Sequence, residues 1–179
     1  MSVSNVEKEF ELFGQRVVKQ ARTILTKKGI NATKDLYNSL QYNTKVFQNS
    51  NALQFTLSME DYGKFINEGV KGVGGTKANG ERWKVKKNTG RFKYKNKMPP
   101  AKAFDRWLTI KGKNVRDSRG RFVPRKSAQF AVAKAVYHQG IEQTDFLNRP
   151  IELALEKLPD DLVRAYGLDL DRILQIAIQ

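Results

Sequence analysis

Cysteine is absent from the 179 residues, and histidine occurs once, as His138. The first absence removes disulfides, thiol nucleophiles, iron–sulfur clusters and cysteine-bound zinc. The second excludes multi-histidine metal sites and makes any histidine-based triad depend on one imidazole. No run of about 18 apolar residues occurs, so no transmembrane helix is expected. The N-terminal MSVSNVEKEFELFGQ is acidic and amphipathic and lacks the basic start and apolar h-region of a secretory leader. The chain therefore reads as soluble, unsecreted and without membrane association.

What is present suffices for an ordinary core. Hydrophobic residues make up 40% of the chain, and a chain of this length buries about 70% of its unfolded surface. One domain over residues 1–179 is the expectation. The formal net charge of +15 is distributed unevenly. Residues 1–70 carry nine Lys/Arg against seven Asp/Glu, residues 71–126 nineteen against three, and residues 127–179 five against eight. A near-neutral frame holding a basic insertion or arm at 71–126 describes this better than a uniformly basic protein.

Apolar residues at Val3, Val6, Phe10, Phe13, Val17, Ala21 and Ile24 recur at steps of three and four, which predicts a long helix ending near Gly29. Cap-type residues from Asn31 suggest a short helical turn before Leu40. Two alternating runs follow, Leu40 to Val46 and Leu53 to Met59, separated by the turn residues Gln48 to Asn51. They predict a β-hairpin with one apolar face, for the first helix to cover. Asp61 to Gly69 reads as a short helix or turn, and Lys71 to Gly80 as a flexible glycine-rich loop. In the next run Trp83, Val85, Phe92 and Tyr94 take one parity and Lys84, Lys86, Arg91, Lys93 and Lys95 the other, around Asn88 to Gly90. This predicts a second hairpin, aromatic on one face and basic on the other. Met98, Pro99 and Pro100 stop it. A short helix over Ala101 to Ile110, a loop to Lys126, and a helix capped by Ser127 and stopped at Gly140 complete the middle. The C-terminal part reads as helices broken at Pro159 and Gly167, with Asp169 capping the last.

The long first helix, the TKDLYNSL lead (Thr33 to Leu40) into a hairpin, the YGKFINEG turn (Tyr62 to Gly69), and the late helix followed by Gly140, Ile141 and FLNRPI (Phe146 to Ile151) together resemble the minor tail-component, or tail-completion, proteins of tailed bacteriophages. The similarity spans roughly residues 1–70 and 127–158. Two features depart from the family pattern: Pro150 follows Phe146 and Leu147 instead of preceding them, and the basic segment exceeds the compact frame. The resemblance implies an α+β subunit repeated in a ring at the head-to-tail junction, with portal, connector and tail proteins as neighbours, a virion location after assembly in the host cytoplasm, and no catalysis or cofactor.

Catalytic readings fail at the level of residue types. A Walker A register starting at Gly69 puts Gly75 where lysine must stand, and a dinucleotide register from Gly72 puts Lys77 on the last glycine. His138 sits near a helix end with Glu142 and Asp145 beyond Gly140, and reads as structural. Asp160, Asp161, Asp169 and Asp171 lack calcium-loop spacing and suit helix termini. No cofactor and no metal are expected.

The basic segment is the strongest local signal. Lys84, Lys86, Lys87, Arg91, Lys93, Lys95 and Lys97 are its candidate contact residues, for genomic DNA through counterion release or for an acidic neighbouring subunit. Its aromatic residues read as packing more than as base-stacking surfaces. Ile173, Leu174, Ala177 and Ile178, the apolar row of the last helix, are candidate oligomer contacts. The fold class is α+β: an antiparallel sheet packed by a long N-terminal helix and by C-terminal helices, with the basic hairpin or loop inserted. The functional expectation is a ring-forming phage neck or tail subunit. The alternative is a stand-alone, sequence-independent nucleic-acid-binding protein, and a metal-dependent nuclease ranks below both for want of a carboxylate and lysine cluster.

Overall fold

Helix α1, Ser4–Lys27, follows directly from the apolar stripe at its predicted place. It buries Phe10, Phe13, Val17, Val18, Ala21 and Leu25, one side of a 3.6-residue period. The computed structural model describes residues 4–30, 33–47, 52–110, 116 and 119–177, without the side chains of residues 4, 46 and 172–177. The chain is α+β and divides into two compact units. The first comprises residues 1–27, 37–60 and 146–179, and the second residues 28–36 and 61–145. A short helix, α2 (Asp35–Ser39), leads into the hairpin.

In the first unit, strands β1 (Gln41–Phe47) and β2 (Ala52–Ser58) pair antiparallel with Thr44 opposite Phe55. Their predicted turn, Gln48 to Asn51, lies outside the described residues. One face of the hairpin meets α1: the Phe55 ring stands edge-on to Phe13 at 5.1 Å, and Phe13 lies parallel to Phe10 at 5.8 Å. Each such ring contributes about 1.5–3 kcal/mol by leaving water. Gly14 makes this approach possible, because any side chain there would overlap the Tyr42 ring. The hydroxyls of Tyr42 and Thr44 donate to the two oxygens of Glu11, at 2.5 and 2.8 Å, and so fasten β1 to α1. On another side of α1, Ala154, Ile151 and Leu158 of the C-terminal helix complete the cluster around Phe10, Phe13 and Val17.

That C-terminal helix, here numbered α6 after the helices of the second unit, runs unbroken over Asn148–Ala177. The expected breaks at Pro159 and Gly167 do not occur. An interior proline costs about 3 kcal/mol and a glycine about 1, but the inward row Ile151, Ala154, Leu158, Leu162 and Ala165 continues past Pro159, and beyond Gly167 the buried Asp169 is bonded to the start of α1. Packing along α1 outweighs local propensity. Continuity also removes the helix start that Asp169 was expected to cap. Its carboxylate instead accepts from the Asn5 backbone N–H at 3.1 and 3.2 Å, the Asn5 side-chain amide at 2.8 Å and the Val6 N–H at 3.3 Å. Asp169 thus caps the first turn of α1, where N–H groups lack intrahelical acceptors.

The second unit holds α3 (Gly63–Glu68), β3 (Val70–Lys71), a 3₁₀ turn (Ala101–Phe104), α4 (Asp105–Ile110), α5 (Arg125–Gln139) and β4 (Gly140–Ile141). Strand β3 pairs antiparallel with β4. The Thr144 hydroxyl donates to the Ile66 carbonyl at 2.7 Å, tying the chain after β4 to α3. Helix α5 begins at Arg125, with Pro124 in an extended conformation before it, two residues ahead of the expected cap Ser127. Arg125 is held in that first turn by its ion pair with Asp105 of α4, and the guanidinium holds the Asp105 carboxyl below the usual range.

Candidate functional site

The basic segment lies in the second unit, and its backbone is positioned by the C-terminal end of α5. The last carbonyls of a helix have no intrahelical donor. Here the Gly140 N–H serves Val136, the Val73 N–H serves Tyr137 at 3.1 Å, the Gly74 N–H serves His138 at 3.0 Å, and the Lys86 N–H serves Gln139 at 2.8 Å. Gly140 permits the crossing: its φ is +83°, and a Cβ would run into the Val70 carbonyl oxygen and the Gly72 nitrogen. The expected flexible loop over Lys71 to Gly80 is therefore a built cap. Two of the N–H groups that a phosphate loop would need are already committed.

The same competition explains why the second hairpin does not form. Residues 83–86 bond elsewhere, Trp83 N–H to Gly75 O at 2.9 Å and Lys86 to α5. Residues 92–94 bond β3, with the Lys71 N–H on Phe92 O at 2.8 Å and the Tyr94 N–H on Lys71 O at 3.0 Å, a parallel bridge. Helix-end carbonyls and a strand edge take the donors that a hairpin ladder would have used.

Alternation of the side chains survives without the hairpin. Trp83, Phe92 and Tyr94 are half-buried: Trp83 stacks flat on His138 at 5.2 Å, Phe92 meets Phe65 edge-on at 4.7 Å, and Tyr94 meets Tyr137 at 5.7 Å. Burial pushes the Tyr94 phenol up from its ordinary value. These three rings are packing, as the sequence suggested; Val85 departs from the pattern by being exposed, and Phe122, also expected to pack, is 62% exposed with the Arg116 guanidinium over its ring.

Lys84, Lys86, Lys87, Arg91, Lys93, Lys95 and Lys97 are all exposed. Arg91 is paired to Glu68 at 3.1 Å and lies over the Phe92 ring. The six lysines form no ion pair with a described residue, whereas Lys77, Arg106 and Arg125 of the same segment do. These six lysines are thus uncompensated by described residues, on a stretch whose backbone is hydrogen-bonded at Lys86, Phe92 and Tyr94.

His138 has a structural environment. Its Nδ1 meets the Gly74 carbonyl, its ring covers Trp83, and no carboxylate of a described residue bonds it. Asp161 pairs with Arg16 at 2.8 Å, which holds its carboxyl below the usual range. Among the described residues no group of three His, Asp or Glu side chains is gathered for a metal ion, and no helix is long and apolar enough to cross a membrane.

Of the candidate oligomer residues, Ile173, Leu174 and Ala177 fall on the last turns of α6, where side chains are not described, and Ile178 lies outside the described residues. Sequence reasoning missed most of the apolar row that precedes them on α6: Leu155, Val163 and Tyr166 are exposed, as is Leu170, which the sequence placed among the apolar positions of the last helix. Their spacing was readable, but breaking the helix at Pro159 and Gly167 divided the row into unrelated pieces. No family model matches this chain, and neither does any curated protein or solved structure.

Proposed function

We propose that the chain is a non-enzymatic structural subunit of a bacteriophage neck or tail, repeated in a ring at the head-to-tail junction, whose lysine-rich surface meets an anionic partner. That partner is DNA in the channel or an acidic face of a neighbouring subunit. The observation that carries this reading is the set of six exposed lysines, Lys84, Lys86, Lys87, Lys93, Lys95 and Lys97, with no acidic partner among the described residues and a backbone pinned to α5 and β3. Cations crowded at fixed positions repel one another, and a fixed backbone has already lost the entropy that binding would otherwise cost. Neutralisation by a polyanion or an acidic protein face relieves that repulsion. The resemblance of helix, hairpin, short turn and FLNRPI element to phage tail-completion proteins supplies the setting. On this reading the neighbours are further copies of the chain with portal, connector and tail proteins of the same virion.

A stand-alone nucleic-acid-binding protein would use the same lysines. The packing of Trp83, Phe92 and Tyr94 against His138, Phe65 and Tyr137 leaves Phe122 as the one strongly exposed ring described in the basic segment, which favours a charged assembly surface over a single-strand reader with several stacking platforms. Quantitative mass spectrometry of purified virions from cells carrying the gene tests the reading. A fixed, multiple copy number per particle is expected, and absence from purified particles would overturn it.

A further inference from the structure

Helix α6 has two apolar faces. The inward row lies against α1. About 100° farther round the helix, Leu155, Val163, Tyr166 and Leu170 line one stripe, exposed at 49%, 74%, 54% and 42%. Single exposed apolar side chains are ordinary on any protein, but a row of four along one helix face is a docking feature. Glu152, Glu156 and Asp160 stand beside it, exposed and without an ion pair to any described residue. That acidic flank would repel a phosphate backbone or an anionic membrane, so the fitting occupant is a protein surface both apolar and basic.

The chain itself carries such a surface. Val85 is 44% exposed between Lys84 and Lys86, with Lys87 following, and the Lys86 backbone is fixed on the Gln139 carbonyl. We propose that the α6 row of one copy receives the Lys84 to Lys87 segment of a second copy, with Val85 on the apolar row and the lysines against Glu152, Glu156 and Asp160. The contact joins two different patches and is heterologous, the type that propagates around a ring. Pairing of α6 with α6 would leave the lysines uncompensated. This names the acidic neighbour and rests on the ring-subunit reading for its expectation that copies meet.

The absence of native cysteine makes a clean test. Single-cysteine proteins Val85→Cys and Val163→Cys, both changed at exposed positions, are checked for unchanged melts, mixed and mildly oxidised. A disulfide-linked heterodimer is expected from the mixture, with neither protein alone giving a comparable product, and the double variant should give a ladder extending beyond dimer. Ready crosslinking of Val163→Cys to itself would overturn the proposal in favour of paired α6 rows. Absence of heterodimer here and in a second pair, Lys84→Cys with Glu156→Cys, would overturn it outright. A chain present in virions that gives no crosslink keeps the subunit reading and loses this contact, whereas a crosslinking chain absent from virions does the reverse.

Discussion

Replacing Asp169 with alanine removes every acceptor that the structure gives to the Asn5 N–H, the Asn5 amide and the Val6 N–H. Loss of an N-cap side chain costs about 0.5–2 kcal/mol, and loss of a negative charge at a partly buried helix start costs up to about 2. Against these stands the desolvation of the carboxylate, only 3% exposed, which alanine no longer suffers. A net loss of about 2 kcal/mol follows, which in a chain of this size lowers the melting temperature by roughly 4–8 °C. Asp169→Asn keeps an acceptor but not the charge and should lose about half as much. Asp171→Ala, two residues on and exposed, serves as the control and should melt like the parent. Circular dichroism gives the melts, and amide exchange at Asn5 and Val6 should accelerate in Asp169→Ala alone. A parental melt for Asp169→Ala would refute the cap and with it the docking of the α6 end on the start of α1.

Phe13→Ala should cost about 3–5 kcal/mol, read as a lower urea midpoint, because Phe13 sits at the centre of the α1, hairpin and α6 cluster; an unchanged midpoint would reject that cluster. Hydrogen bonds from Tyr42 first and Thr44 second hold the Glu11 carboxyl below its ordinary value. Its stabilisation is therefore complete above the unfolded carboxylate pKa and is lost as pH falls through the lower folded value. Glu11→Gln should flatten that acid limb of the stability curve, and an unaltered limb would count against the link. Gly140→Ala forces a Cβ into the Val70 carbonyl and a left-handed φ, costing more than about 1 kcal/mol. Both tryptophans, Trp83 and Trp107, lie in the second unit, so their fluorescence should report an earlier melt there.

Helix α1 and the first hairpin were legible because their apolar periods, 3.6 and 2, are long and uninterrupted. The exposure of Lys84, Lys86, Arg91, Lys93 and Lys95 was legible from parity, whereas Lys87 shares the parity of Trp83 and Val85 and is exposed all the same. The partner of each backbone group was not legible. Nothing local shows that Lys86 bonds Gln139 and not a facing hairpin strand, since that choice is made by α5 carbonyls more than fifty residues away. Asp169 failed for the same reason: a cap-type residue near a glycine looks local, yet its partner is Asn5. Proline and glycine signals in α6 were read at their local value and were outweighed by burial along α1. The lysines are the part of the candidate site that a sequence states openly, while the second apolar row of α6 becomes visible only once the helix is continuous.

The central claim, that the lysine surface serves assembly, is tested most directly by replacing Lys84, Lys86, Lys87, Arg91, Lys93, Lys95 and Lys97 together with glutamine and counting joined, DNA-filled particles by electron microscopy. Exposed cations contribute little to folding, so the variant should melt like the parent. Heads and tails that fail to join are the predicted result, because the neighbouring acidic face loses its partner. Intact necks with lost DNA would move the contact from protein to the channel. Tailed particles formed and filled at the parental yield would contradict the account.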